Sequence, residues 1–135
     1  MTRAQARAII NASEKTMHRL LLETLWQSGG RVTEVLRLRL SDLVEAESAL
    51  RLTNLKQRRQ SHRHKLVYVS PDLLSQLRAF AIEAHLSATG FFFGARQSKT
   101  KPVSYAQCWR LIRRYAAEAC VQVIGADWGP PRSWG

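Results

Sequence analysis

Gly29-Gly30 stands between two apolar stripes of helical period, and it obliges the chain to break and turn there. Upstream, Met17, Leu20, Leu21, Thr24 and Leu25 recur at the spacing of one helix face over residues 16–27. Glycine takes the left-handed conformation that closes a helix without the steric cost other residues meet, so the first helix ends at the pair. Downstream, Val32, Val35, Leu36 and Leu40 make the apolar face of a second helix, which starts near Arg31 or Val32 and reads as running to about Asp42. Arg31 therefore stands where an apolar helix begins. A surface arginine needs no such setting, whereas one that must hold an anion at a fixed place does.

The rest of the chain alternates period. Residues 3–12 have weak helical character. Over 49–55, Leu50, Leu52 and Asn54 alternate with Arg51, Thr53 and Leu55, which reads as a strand, and 66–69 (LVYV) reads as a second. Ser70-Pro71-Asp72 is a helix start, with Ser70 as cap and Pro71 in the first turn; the face of that helix is Leu73, Leu77, Phe80, Ala81 and Ala84. TGFFFG, at 89–94, is a short apolar piece bounded by glycine, either strand or buried turn. The last clear helix opens at Ser104, where Ser104 and Gln107 form a capping box. Its stripe is Cys108, Leu111, Ile112, Tyr115, Ala116 and Ala119, with Arg110, Arg113 and Arg114 on the remaining surface. Beyond about Gln122 the pattern fades into a tail rich in glycine and proline. The fold class is α+β, mostly helical with a small antiparallel hairpin or sheet, over residues 1–123, followed by an irregular tail over 124–135.

Charge narrows the function. The 135 residues carry 21 Lys+Arg against 10 Asp+Glu, a formal net of +11. Such an excess points to a polyanion, and it is clustered: residues 51–65 hold six Lys/Arg and no acid, as do residues 96–115. No apolar run approaches a membrane span and no signal peptide opens the chain, so the expectation is a soluble intracellular protein. Cys108 and Cys120 have no metal-ligand spacing, and Cys108 reads as a buried free thiol. His62-Arg63-His64 lacks a nearby cysteine or carboxylate, so no metal site is expected.

The run Gly29-Gly30-Arg31-Val32-Thr33-Glu34-Val35-Leu36, succeeded by Leu38 and Asp42, resembles the first catalytic box of the tyrosine recombinases, or phage-type integrases. The downstream elements also come in a similar order: a strand, a basic loop, a strand ending in Ser-Pro, an amphipathic helix, FFFG, and the helix of KPVSYAQCWRLIRRYAAEA. The likeness spans about residues 2–123. It implies a catalytic-domain fold that binds and recombines double-stranded DNA, with attack by a tyrosine on a phosphodiester and neither metal nor ATP as cofactor. It places the protein in the bacterial cytoplasm, with no membrane and no small-molecule substrate.

By the same resemblance, Arg31 corresponds to the first catalytic arginine, whose rigid fork suits the nonbridging oxygens of a phosphate. Glu34 matches the accessory acid, expected to hold Arg31 or a neighbouring base. Lys56 matches the hairpin lysine that protonates the leaving 5′-oxygen, with Lys65 as competitor. Arg58, Arg59, His62, Arg63, Lys65, Lys99 and Lys101 are the expected DNA contacts, mostly to phosphate. The second box, His-x-x-Arg, and the nucleophilic tyrosine have no clear counterpart. PPRSWG is faintly similar to the former but lacks its histidines, so Arg132 is a weak match. Tyr68, Tyr105 and Tyr115 are not where the nucleophile belongs. The chain thus reads as a truncated catalytic domain that binds DNA without cutting it alone. It is expected to associate with itself or with a full-length recombinase; the alternative is a non-catalytic regulatory remnant.

Overall fold

The computed structural model describes residues 1–53, 64–95 and 98–121. Three helices open the chain: α1 (Arg3–Ala12), α2 (Thr16–Ser28) and the short α3 (Val32–Leu36). A three-stranded antiparallel sheet comes next, built from β1 (Leu43–Val44), β2 (Ala49–Thr53) and β3 (His64–Tyr68), with β2 in the middle. Helix α4 (Pro71–Glu83) leads to a two-stranded ribbon, β4 (Gly94–Ala95) with β5 (Ser98–Pro102), and α5 (Tyr105–Glu118) closes the order. The fold is α+β and mostly helical, as the sequence implies.

Local chemistry explains the boundaries. Thr2 and Gln5 cap α1 reciprocally, which makes a definite helix of a weakly patterned segment. Gly29 ends α2 at φ 63°, the left-handed conformation expected of the glycine pair. Ser70 accepts from the Leu73 N–H at the start of α4, and the Ser104–Gln107 box opens α5. Cys108, Ile112, Tyr115 and Ala116 of the α5 stripe are buried in the core together with Trp109, which the apolar pattern left out, while Leu111 and Ala119 pack half-buried against it. Ala84, expected on the inner face of α4, is instead its exposed C-cap, while Leu74 is buried. The Cys108 thiol is free and fully buried, and desolvation pushes its pKa up to about 12.

The main departure from expectation lies after α3. The helix ends at Leu36 rather than near Asp42. The backbone then extends: Leu38 is buried, its carbonyl accepts from the Phe92 N–H at 3.1 Å, and the Leu40 N–H donates to the Gly90 carbonyl at 3.1 Å. Arg39 and Phe91 face each other as an antiparallel bridge. Leu36-Arg37-Leu38-Arg39-Leu40 has a period of two as readily as a helical one, and long-range pairing with residues 88–92 of the same chain selects the extended form. Strand β2 spans 49–53 of the expected 49–55, Asn54 and Leu55 lying outside the described residues; β3 begins at His64 rather than Leu66. Strands β1 and β5 had no expectation.

A buried polar pair joins the first and last parts of the core. His18, on α2, lies 2.7 Å through Nδ1 from the hydroxyl of Tyr115 on α5. Burial first, then the charges of Lys15 and Arg114, hold the His18 pKa below its ordinary 6.5. The unfolded chain therefore binds this proton at a higher pH than the folded one. Stability contributed by neutral His18 is complete above 6.5 and is lost as pH falls from there through the depressed folded value. Thermal unfolding monitored from about pH 7.5 to about pH 5 should show a falling midpoint. His18→Asn should make that limb shallower, and an unchanged limb would contradict the assignment.

Candidate phosphate-binding site

The glycine pair does more than end a helix. A Cβ on Gly30 would stand 2.8 Å from Leu52 Cδ1 and 3.3 Å from Val35 Cγ2, so glycine is what lets the turn press onto β2. That contact sets the next residue, Arg31, as the N-cap of α3, extended at φ −72° and ψ 146° and partly buried. One helical turn on, Glu34 folds back, and its Oε1 accepts from the Arg31 backbone N–H at 3.2 Å. With only five residues, α3 supplies little dipole; the cation itself carries the electrostatics here.

The Glu34 side chain is completely buried. Its compensating charge comes from the sheet: Lys65 Nζ lies 3.1 Å from the same Oε1. Register explains the reach. Lys65 is opposite Leu52, and Val67 is opposite Leu50, so Lys65 shares the inward face of the sheet with two fully buried leucines. Alternation turns His64, Leu66 and Tyr68 to the outer face. Sequence reasoning placed Lys65 among the DNA contacts or as the rival proton donor; its position on the inner face, against Glu34, was legible only from strand register.

A second cationic feature borders the end of the sheet. Arg37, Arg39, Asp42, Thr53, His64 and Phe91 are among the residues around a cleft of about 430 Å³. Arg39 is fixed within it: its guanidinium lies 4.2 Å above the Phe91 ring centroid and donates to the Thr89 carbonyl at 2.7 Å. Asp42 accepts from the Arg39 backbone N–H at 2.9 Å. Arg37 and Arg39 come so soon after Arg31 in sequence that they read as part of a helix; leaving the helix at Leu36 is what brings them to this cleft.

The structure thus brings Arg31, Glu34 and Lys65 together. Lys101 is exposed on β5, and Lys99 stands two residues before it on the same strand. Lys56, Arg58, Arg59, His62 and Arg63 lie outside the described residues, as does Arg132. Tyr115 is buried against His18, Tyr68 is on the outer face of β3, and Tyr105 is exposed at the start of α5. Among the described residues no three His, Cys, Asp or Glu side chains gather as metal ligands, and no helix is long and apolar enough to cross a membrane.

Comparison with known families decides what this arrangement belongs to. The model of the phage integrase family matches residues 1–129. The chain belongs to the phage integrase family. Among solved structures, the crystal structure of XerA recombinase superposes with a TM-score of 0.73 at 18% identity, over 93% of this chain and 45% of that one. The likeness establishes the recombinase fold, and the chain spans less than half the length of that protein. No curated protein sequence matches the chain.

Proposed function

We propose that this integrase-family chain is a binding domain for double-stranded DNA in which Arg31 holds a backbone phosphate and the flanking basic segments grip the duplex. The observation that carries the reading is Arg31 at the turn into α3, braced by a fully buried Glu34 that a strand lysine neutralises. An arginine whose backbone is held in this way suits an oxyanion whose position matters. Arg58, Arg59, His62, Arg63, Lys99 and Lys101 supply the wider grip in this reading, and Lys56 corresponds to the hairpin lysine that in cleaving members of the family protonates the leaving 5′-oxygen.

Binding without cutting is the second part of the proposal. Of the three tyrosines, Tyr115 has its hydroxyl committed to His18, and Tyr68 points from the sheet face opposite to Lys65. A nicked suicide duplex tests both parts at once. A retarded band on a native gel, with no protein–DNA adduct on a denaturing gel, is the expected result. A covalent adduct formed by this chain alone would overturn the second part, and the absence of a shift would overturn the first.

One observation favours an interaction role beside DNA binding. Leu66 and Tyr68 are 45% and 70% exposed on the same face of β3, an edge strand of its sheet among the described residues. An apolar pair in that place suits a second copy of the chain or a full-length recombinase. Sedimentation velocity should show concentration-dependent association that Leu66→Lys/Tyr68→Lys abolishes; a monomer at every concentration would exclude self-association.

A further inference from the structure

We infer that Arg39, seated on Phe91 and flanked by Arg37, is a second phosphate ligand, holding a backbone phosphate of the duplex other than the one at Arg31. The inference rests on the DNA-binding reading above, and it starts from the early end of α3. Beyond Leu36 the chain extends, and in an extended chain alternate side chains share a face. Leu38 is buried, which turns Arg37 and Arg39 together to the exposed side, around the cleft at the end of the sheet. Arg39 stands opposite Phe91 in the antiparallel bridge, so its guanidinium comes to rest 4.2 Å above that ring's centroid. Its Nη1 donates to the Thr89 carbonyl at 2.7 Å. The Arg37 guanidinium has no hydrogen-bond or ion-pair partner among the described residues.

Stacking of this kind prepares an arginine for phosphate. The ring covers one face of the guanidinium, whereas a phosphate is met edge-on, by the N–H fork in the guanidinium plane. Phe91 therefore fixes the plane without occupying the donors, and the bond to Thr89 fixes its rotation within that plane. An ordinary exposed arginine gives up side-chain freedom when it binds; one already seated gives up less. Asp42 is the acid beside the cleft, and its Oδ2 accepts from the Arg39 backbone N–H at 2.9 Å, with no ion pair to the guanidinium. Two arginines against one carboxylate leave the cleft with net positive charge. Thr53 and His64, opposite each other on β2 and β3, border the same cleft and add a hydroxyl and an imidazole to its polar wall.

If Arg39 only packs against Phe91, its loss changes stability and leaves the salt dependence of DNA binding alone. Fluorescence anisotropy with a labelled duplex, titrated across salt, would compare wild type, Arg31→Ala, Arg37→Gln/Arg39→Gln, the triple variant and Arg39→Lys. The double variant should bind on the order of tenfold more weakly at low salt, with a log–log slope flatter by about 0.9, equivalent to one phosphate. The triple variant should be flatter than wild type by about 1.8, because two phosphates are lost. Arg39→Lys should keep the wild-type slope and bind severalfold more weakly, since an ammonium keeps the charge but loses the stacked fork. If the double variant does not fold, Arg39→Lys decides alone, and wild-type affinity there would overturn the inference. A folded double variant with the wild-type slope, or a triple variant no flatter than Arg31→Ala, would overturn it while leaving DNA binding intact. Failure of the wild type to bind would overturn the DNA-binding reading and the inference with it.

Discussion

Phe93→Ala is expected to destabilise the protein by about 3–5 kcal/mol, the usual range for emptying a fully buried aromatic site. Phe93 has no exposed surface, and its ring lies 6.2 Å from that of Phe92 between centroids. The backbone around it joins three parts of the molecule. The Phe92 N–H donates to the Leu38 carbonyl beyond α3, and the Phe93 carbonyl accepts from the Val103 N–H just before α5 at 2.8 Å. Emptying the site therefore weakens the seat of the β4–β5 ribbon, which carries Lys99 and Lys101, as well as the core. A loss of this size is a large share of the roughly 5–15 kcal/mol that keeps a domain folded. Urea unfolding should show a much lower midpoint, with Phe93→Leu losing far less. A midpoint within error of wild type would mean that the ribbon is not seated on this core.

Leu52→Ala should cost about 2–5 kcal/mol, and its partner in the test is Gly30. Leu52 is fully buried on β2, opposite Lys65, and its Cδ1 occupies the space a Cβ on Gly30 would need. Gly30→Ala alone crowds that contact and should cost about 1–3 kcal/mol. The two changes are opposite in volume at one point, so together they should cost less than their sum, by about 0.5–3 kcal/mol. Simple additivity in a double-mutant cycle would show that the turn before Arg31 does not rest on β2. A Leu52→Ala protein that remains folded should also bind DNA less tightly, because the seat of Arg31 has loosened.

Local contacts were the part legible in the sequence. Helix starts were readable because Ser70 and Ser104 satisfy backbone N–H groups within three residues of themselves, and the end of α2 because Gly29 takes a conformation most residues avoid. Arg31 and Glu34 stood out through the likeness of Gly29–Leu36 to the recombinase catalytic box, since their spacing by itself fits an ordinary surface pair. The exit from α3 at Leu36 was not, since Leu36, Leu38 and Leu40 satisfy two periods at once and a partner some fifty residues away chooses between them. Lys65 was hidden for the same reason. A basic residue beside a basic loop reads as a surface charge until strand pairing sets it opposite Leu52 and aims it inward. Contacts within a turn leave marks in sequence, whereas the face a side chain takes in a strand depends on a register fixed elsewhere.

The most direct measurement is the salt dependence of duplex DNA binding by wild type and by Arg31→Ala, read by fluorescence anisotropy. Wild type should lose affinity steeply as salt rises, and Arg31→Ala should flatten the log–log slope by about 0.9, the loss of one phosphate contact. A wild type that binds no DNA even at low salt, or an Arg31→Ala variant with an unchanged slope and affinity, would contradict the assignment of Arg31 as a phosphate ligand.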